Sequence, residues 1–108
     1  MPYSDLERRR SPRYLCSHLV ELRAEVELPA LLEDLSREGA GIALEAALAP
    51  GAEIELVTPG LRASAQVRYC LPRETDFRLG LEFLNGVRWQ LDRWQPDHLF
   101  LPPTGATS

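Results

Sequence analysis

The chain has 108 residues, 44% of them hydrophobic and 26% charged, enough for one domain with one core and too few for two. No apolar run approaches the roughly 20 residues of a membrane-spanning helix, and Met1-Pro2-Tyr3-Ser4-Asp5 leads into charge instead of an apolar signal segment, so no membrane insertion and a cytoplasmic location are expected. The net charge of −4 is uneven: residues 1–13 hold Arg8, Arg9, Arg10 and Arg13 against Asp5 and Glu7, whereas residues 14–108 hold eight arginines against fourteen acids, and there is no lysine. Arginines clustered in an otherwise acidic chain point to one localised anion site, and they argue against a nucleic-acid binder, which spreads positive charge over a face.

Two-residue alternation dominates the chain and predicts strands. Val20, Leu22, Ala24 and Val26 alternate with Glu21, Arg23, Glu25 and Glu27, giving a strand with one dry and one wet face. Pro29 interrupts, and Ala30 to Leu35 resumes as a short strand. Ser36-Arg37-Glu38-Gly39 reads as a turn with Gly39 free to take positive φ. Ala40, Ile42 and Leu44 alternate again. Glu45 to Gly51 fits either a single helical turn or a loop.

Glu53 to Thr58 is the next strand, with Ile54 and Leu56 inward, followed by a tight turn at Pro59-Gly60. Leu61, Ala63, Ala65, Val67 and Tyr69 form one face of the longest alternating stretch. After the polar loop around Pro72 to Thr75 come Phe77, Leu79, Leu81 and Phe83. The period then changes: with Asn85 as N-cap, Val87, Leu91 and Trp94 fall at helical spacing until Pro96, which predicts a helix of at most about three turns packed on the strands. Six alternating strands and one amphipathic helix define an all-β, six-stranded antiparallel barrel with a short C-terminal helix. The division is a flexible arm over 1–13, the barrel with its helix over 14–98, and a disordered tail over 99–108.

Cys16 and Cys70 lie far apart, and neither they nor His18 and His98 have metal-ligand spacing, so reduced thiols and no metal or cofactor are expected. Tyr69, Phe77 and Phe83 read as core, and Trp89 and Trp94 as helix packing. No acid–base pair or nucleophile constellation is readable, so no enzyme is expected.

Two patterns carry chemistry. The first is Arg9-Arg10-Ser11-Pro12-Arg13, an R-x-x-x-R preceded by Arg8. The second is Asp34-Leu35-Ser36-Arg37-Glu38-Gly39, a D-x-S-x-x-G. Guanidinium groups fork onto phosphate oxygens and stack on purines. A carboxylate such as Asp34 can accept from paired N–H donors, Ser36 can donate to a phosphate or brace the turn, and Gly39 leaves room for a close backbone. Asp34 and Ser36 also fit a plain Asx or Ser turn that organises a hairpin.

In this order and at this separation the two motifs resemble the signature of the PilZ family, and Gly80-Leu81-Glu82-Phe83 is similar to that family's last strand. The resemblance spans roughly residues 7–95. It implies a receptor for cyclic di-GMP, with Arg9 and Arg13 clamping phosphates and guanines from the arm and Asp34, Ser36 and Gly39 forming the opposing wall. Arg8, directly before the motif, implies an intercalated ligand dimer, and Arg10 adds a phosphate contact or faces solvent. With the domain filling nearly the whole chain, the signal is expected to leave through an unidentified effector protein. The competing reading is a PilZ-like interaction module, pilus or motility related, that binds no ligand.

Overall fold

The computed structural model describes residues 12–100. Six antiparallel strands form it: β1 (Tyr14–Arg23), β2 (Glu27–Leu35), β3 (Gly39–Leu44), β4 (Glu53–Thr58), β5 (Leu61–Pro72) and β6 (Phe77–Phe83). They close into a barrel in the order β1-β2-β3-β6-β5-β4, with β4 returning to β1. Closure gives every strand a partner on both sides along part of its length, and the inward side chains meet in one core. Leu22, Leu32, Leu35, Ile42, Leu56, Val67 and Leu79 are its largest fully buried side chains.

The strands follow the alternation, with differences at their ends. β1 begins at Tyr14, and its hairpin turn falls at Ala24–Val26, where the alternation predicted continuing strand; Val26 projects into solvent. Pro29 lies inside β2 opposite Glu21. It is tolerated there because pairing with β3 starts only at Leu31↔Ala43, so no ladder bond on that side needs its missing N–H. Glu45 to Gly51 forms a loop, tied to β5 by Gly51 N–H to Val67 O (2.7 Å) and Val67 N–H to Ala52 O (2.8 Å).

The predicted C-terminal helix does not form among the described residues: 84–100 are irregular chain with short turns. Asn85 and Gly86 both take positive φ (58° and 73°), which an α-helix cannot contain. The amide of Trp89, needed for a helical ladder, donates instead to Arg37 O at 2.9 Å. Trp89 is buried as a plug for the barrel end, edge-on to Tyr14 with centroids 5.6 Å apart, and its indole N–H donates to Trp94 O at 2.8 Å. Leu99 and Phe100 are described, and the Phe100 amide donates to Leu15 O; the rest of the expected tail and residues 1–11 of the expected arm lie outside the described residues.

Candidate functional site

The site is built by slips in strand register. Strict alternation from the buried Leu32 would send Asp34 into the core. Instead Leu32 pairs Ile42 while Asp34 pairs the adjacent Gly41, so Glu33 is an extra residue on β2. This bulge turns Asp34 to the outer face and returns Leu35 to the interior. β5 does the same: Val67 pairs Leu81 and Tyr69 pairs Gly80, with Arg68 extra. Tyr69, expected in the core, therefore lies on the outer face. One outward row now runs Asp34–Gly41–Gly80–Tyr69 across four strands, because Gly41 and Gly80 are themselves paired.

The two glycines make that row a trough. A Cβ on Gly41 would stand 2.1 Å from the Arg78 guanidinium, and one on Gly80 2.1 Å from the Tyr69 ring. Arg78 lies over the first and Tyr69 over the second. From there Arg78 donates through Nη2 to Asp34 Oδ2 (2.5 Å) and through Nη1 to Glu33 Oε1 (2.9 Å). Arg13 Nη1 donates to the other Asp34 oxygen, Oδ1, at 2.9 Å. Arg73 joins Glu33 to Asp76. The buried Asp34 carboxylate is thus held between two guanidiniums, one half-exposed (Arg13, side chain 48% exposed) and one largely covered (Arg78, 19%).

Burial opposes the charge of Arg78, but Asp34, the Tyr69 hydroxyl and Glu33 outweigh it and keep its pKa above the ordinary arginine value. The same surroundings affect Cys16, whose thiol pKa is pushed up to about 11 by burial first and then by the negative charge of Asp34 and Glu33. Its Sγ donates to Leu32 O at 3.6 Å.

The structure brings Arg13 and Asp34 into contact and sets Ser36 and Gly39 in the adjoining β2–β3 turn, while Arg8, Arg9 and Arg10 lie outside the described residues. Ser36 is buried and braces the β2–β3 turn: its amide and its hydroxyl both donate to Gly39 O, at 2.9 and 3.3 Å. The turn is pinned further by Phe83 N–H to Glu38 O and Trp89 N–H to Arg37 O. Gly39 does not take the positive φ expected of it. A Cβ there would stand 2.2 Å from the backbone oxygen of Leu81, so glycine is needed for the close approach of β3 and β6. Arg78, Glu33 and Tyr69 were missed by sequence reasoning. The available signal was a pair of strand glycines, Gly41 and Gly80, at outward positions where side chains are normally harmless.

A fold of this class, a closed antiparallel barrel with an arginine and a D-x-S-x-x-G carboxylate meeting at its rim, matches one family in particular. The PilZ domain family model matches residues 7–92, and the chain belongs to that family. Among solved structures it is similar to the PilZ domain of YcgR from Escherichia coli, solved with c-di-GMP: 27% identity, a TM-score of 0.56, and coverage of 72% of this chain and 79% of that one. No curated protein matches the chain.

Proposed function

We propose that this PilZ domain is a receptor for cyclic di-GMP that works by binding alone, without catalysis. One observation carries the reading: Arg13 of the R-x-x-x-R motif and Asp34 of the D-x-S-x-x-G motif, 21 positions apart, meet in a charge-assisted hydrogen bond. Membership of the PilZ family and likeness to a domain solved with c-di-GMP support the same ligand.

The pairing gives a mechanism of exchange. Asp34 is too buried to be left without donors. When a phosphate takes the Arg13 fork, a guanine edge brings N1–H and an amine to Asp34 Oδ1 in its place, so the carboxylate changes partner without losing one. Arg78 holds Oδ2 throughout and fixes the carboxylate's direction. Adenine offers an acceptor at N1 and cannot make the exchange.

The described ions balance: Arg13, Arg73 and Arg78 face Glu33, Asp34 and Asp76. Excess positive charge for two phosphodiesters must come from Arg8, Arg9 and Arg10. These residues therefore complete the site, the arm becomes ordered over the barrel on binding, and Arg8 favours a stacked ligand pair. The changed surface is what an effector protein reads.

Calorimetric titration with cyclic di-GMP, cyclic di-AMP and GTP tests this. Strong heat with the first alone is expected; equal heats with cyclic di-GMP and cyclic di-AMP refute the exchange. No heat from folded protein favours the interaction-only module. Arg13→Ala should abolish measurable binding while costing the free protein at most about 1 kcal/mol, because its ion pair is half-exposed; unfolding of that variant would make Arg13 structural instead.

A further inference from the structure

The barrel opens at the end away from Asp34. β1 and β4 pair only at Glu21↔Val57, Leu22↔Leu56 and Arg23↔Glu55. Beyond Arg23 the chain turns off into the Ala24–Val26 hairpin, while β4 continues through Ile54 to Glu53, so no strand pairs with those two residues on the β1 side. The gap is a cleft of about 650 Å³. Val26, Leu28, Leu48 and Ile54 line it, with Val26 62% exposed at its mouth. Its far wall is preformed, because Gly51 and Ala52 are tied to Val67 of β5.

Among the described residues, the charge at the mouth that lacks an ion-pair partner is negative. Glu25 and Glu53 stand one on each lip, and among the described residues neither has an ion-pair partner. Arg23 and Glu55 also line the cleft, but Arg23 is engaged by Glu21 and Glu27, and Glu55 by Arg62. An apolar floor, an open strand edge and two uncompensated carboxylates match an extended segment with apolar side chains on one face and arginine or lysine on the other.

We propose that this seam is a docking groove for such a basic, apolar segment of a partner protein. The groove is independent of the cyclic di-GMP reading, since β1 separates Arg13 from Arg23 by ten residue steps, about 33 Å at roughly 3.3 Å each. The arginines of residues 8–13 do not reach it: Arg8 lies five residues before Arg13, a span of at most about 18 Å. Residues 101–108 carry no positive charge. The partner is thereby held at one end of the barrel while the other end stays free for its ligand.

The test is an amide chemical-shift titration of the full chain with two acetylated, amidated peptides, Arg-Leu-Arg-Leu-Arg and Glu-Leu-Glu-Leu-Glu. Shifts with the arginine peptide should be confined to residues 24–28, 48–55 and Ser64, and the glutamate peptide should leave them unmoved. Both lip residues are exposed, so Glu25→Arg with Glu53→Arg should fold normally and weaken the arginine peptide about tenfold or more. Val26→Ser should weaken it several-fold. No shifts at millimolar peptide, equal response to both peptides, shifts centred on Asp34, or full binding by the double variant would overturn the proposal. Self-association abolished by charge reversal at Arg8, Arg9 and Arg10 would overturn it too, in favour of a second copy's arm as the occupant.

Discussion

Asp34→Ala separates two roles for the carboxylate at the centre of the site. If Asp34 only reads a guanine edge, the free protein should be indifferent to its loss. The structure gives it work without ligand. Its 2.5 Å bond to Arg78 joins side chains that are 8% and 19% exposed, and a charge-assisted hydrogen bond of that kind is worth about 1.5–3 kcal/mol. The bond to Arg13 is half in solvent and adds about 0–1 kcal/mol. Arg78 keeps Glu33, which limits the loss. The sum is a destabilisation of about 2–3 kcal/mol, or a Tm lowered by about 10–15 °C in a domain of this size. Urea denaturation of the free protein at pH 7 measures it directly. Asp34→Asn, which keeps an acceptor oxygen, should lose less. An Asp34→Ala variant within about 0.5 kcal/mol of the parent protein would refute the view that this carboxylate organises the two guanidiniums.

Gly39→Ala should destabilise by about 1–3 kcal/mol, since a Cβ 2.2 Å from a backbone oxygen forces strands apart. Gly39→Asn should be no better; an asparagine that rescues stability in thermal melts would restore the positive-φ explanation. Cys16, with its pKa near 11, should at pH 8 hold about a hundredfold less thiolate than an ordinary cysteine, and alkylate correspondingly slowly until urea exposes it. Because the folded state binds this proton more tightly than the unfolded state, stability should decline as pH rises from about 9 towards 11. A rate in native buffer equal to that in urea would contradict the burial assigned to Cys16.

The strands were legible because each buries one face, so Leu22, Leu56 and Leu79 had to alternate with polar neighbours. The motif residues Arg13, Asp34, Ser36 and Gly39 were legible as local patterns. What alternation cannot reveal is a change in its own phase. Asp34 is two residues from Leu32 and Tyr69 two from Val67, and only the bulges place them on the opposite face from those neighbours. Arg78 was invisible as a partner of Asp34 because 44 positions separate them and two strand pairings bring them together. The helix was misread because the spacing of Val87, Leu91 and Trp94 says nothing of backbone conformation at Asn85 and Gly86. Trp89, off that apolar face, is the residue that is buried.

The bulges explain why the site sits on the barrel wall and not in its interior. A six-stranded barrel fills its inside with side chains and has no cavity for a charged ligand, so recognition has to be built outward. A flat outer face offers only side chains perpendicular to it. The slips in β2 and β5 flank the β3–β6 pair and bring Asp34 and Tyr69 to the same outward row, with Gly41 and Gly80 between them. The missing side chains let Arg78 lie flat along the wall and reach sideways to Asp34 and Glu33, which a guanidinium standing upright could not do. The bulge that turns Asp34 out also places Glu33 where it binds Arg73 of the β5–β6 loop as well as Arg78. One inserted residue thus fixes both the carboxylate that meets Arg13 and the loop beyond it, so the proposed movement of Arg13 onto a ligand would act on a single connected set of charges spanning β2, β6 and that loop.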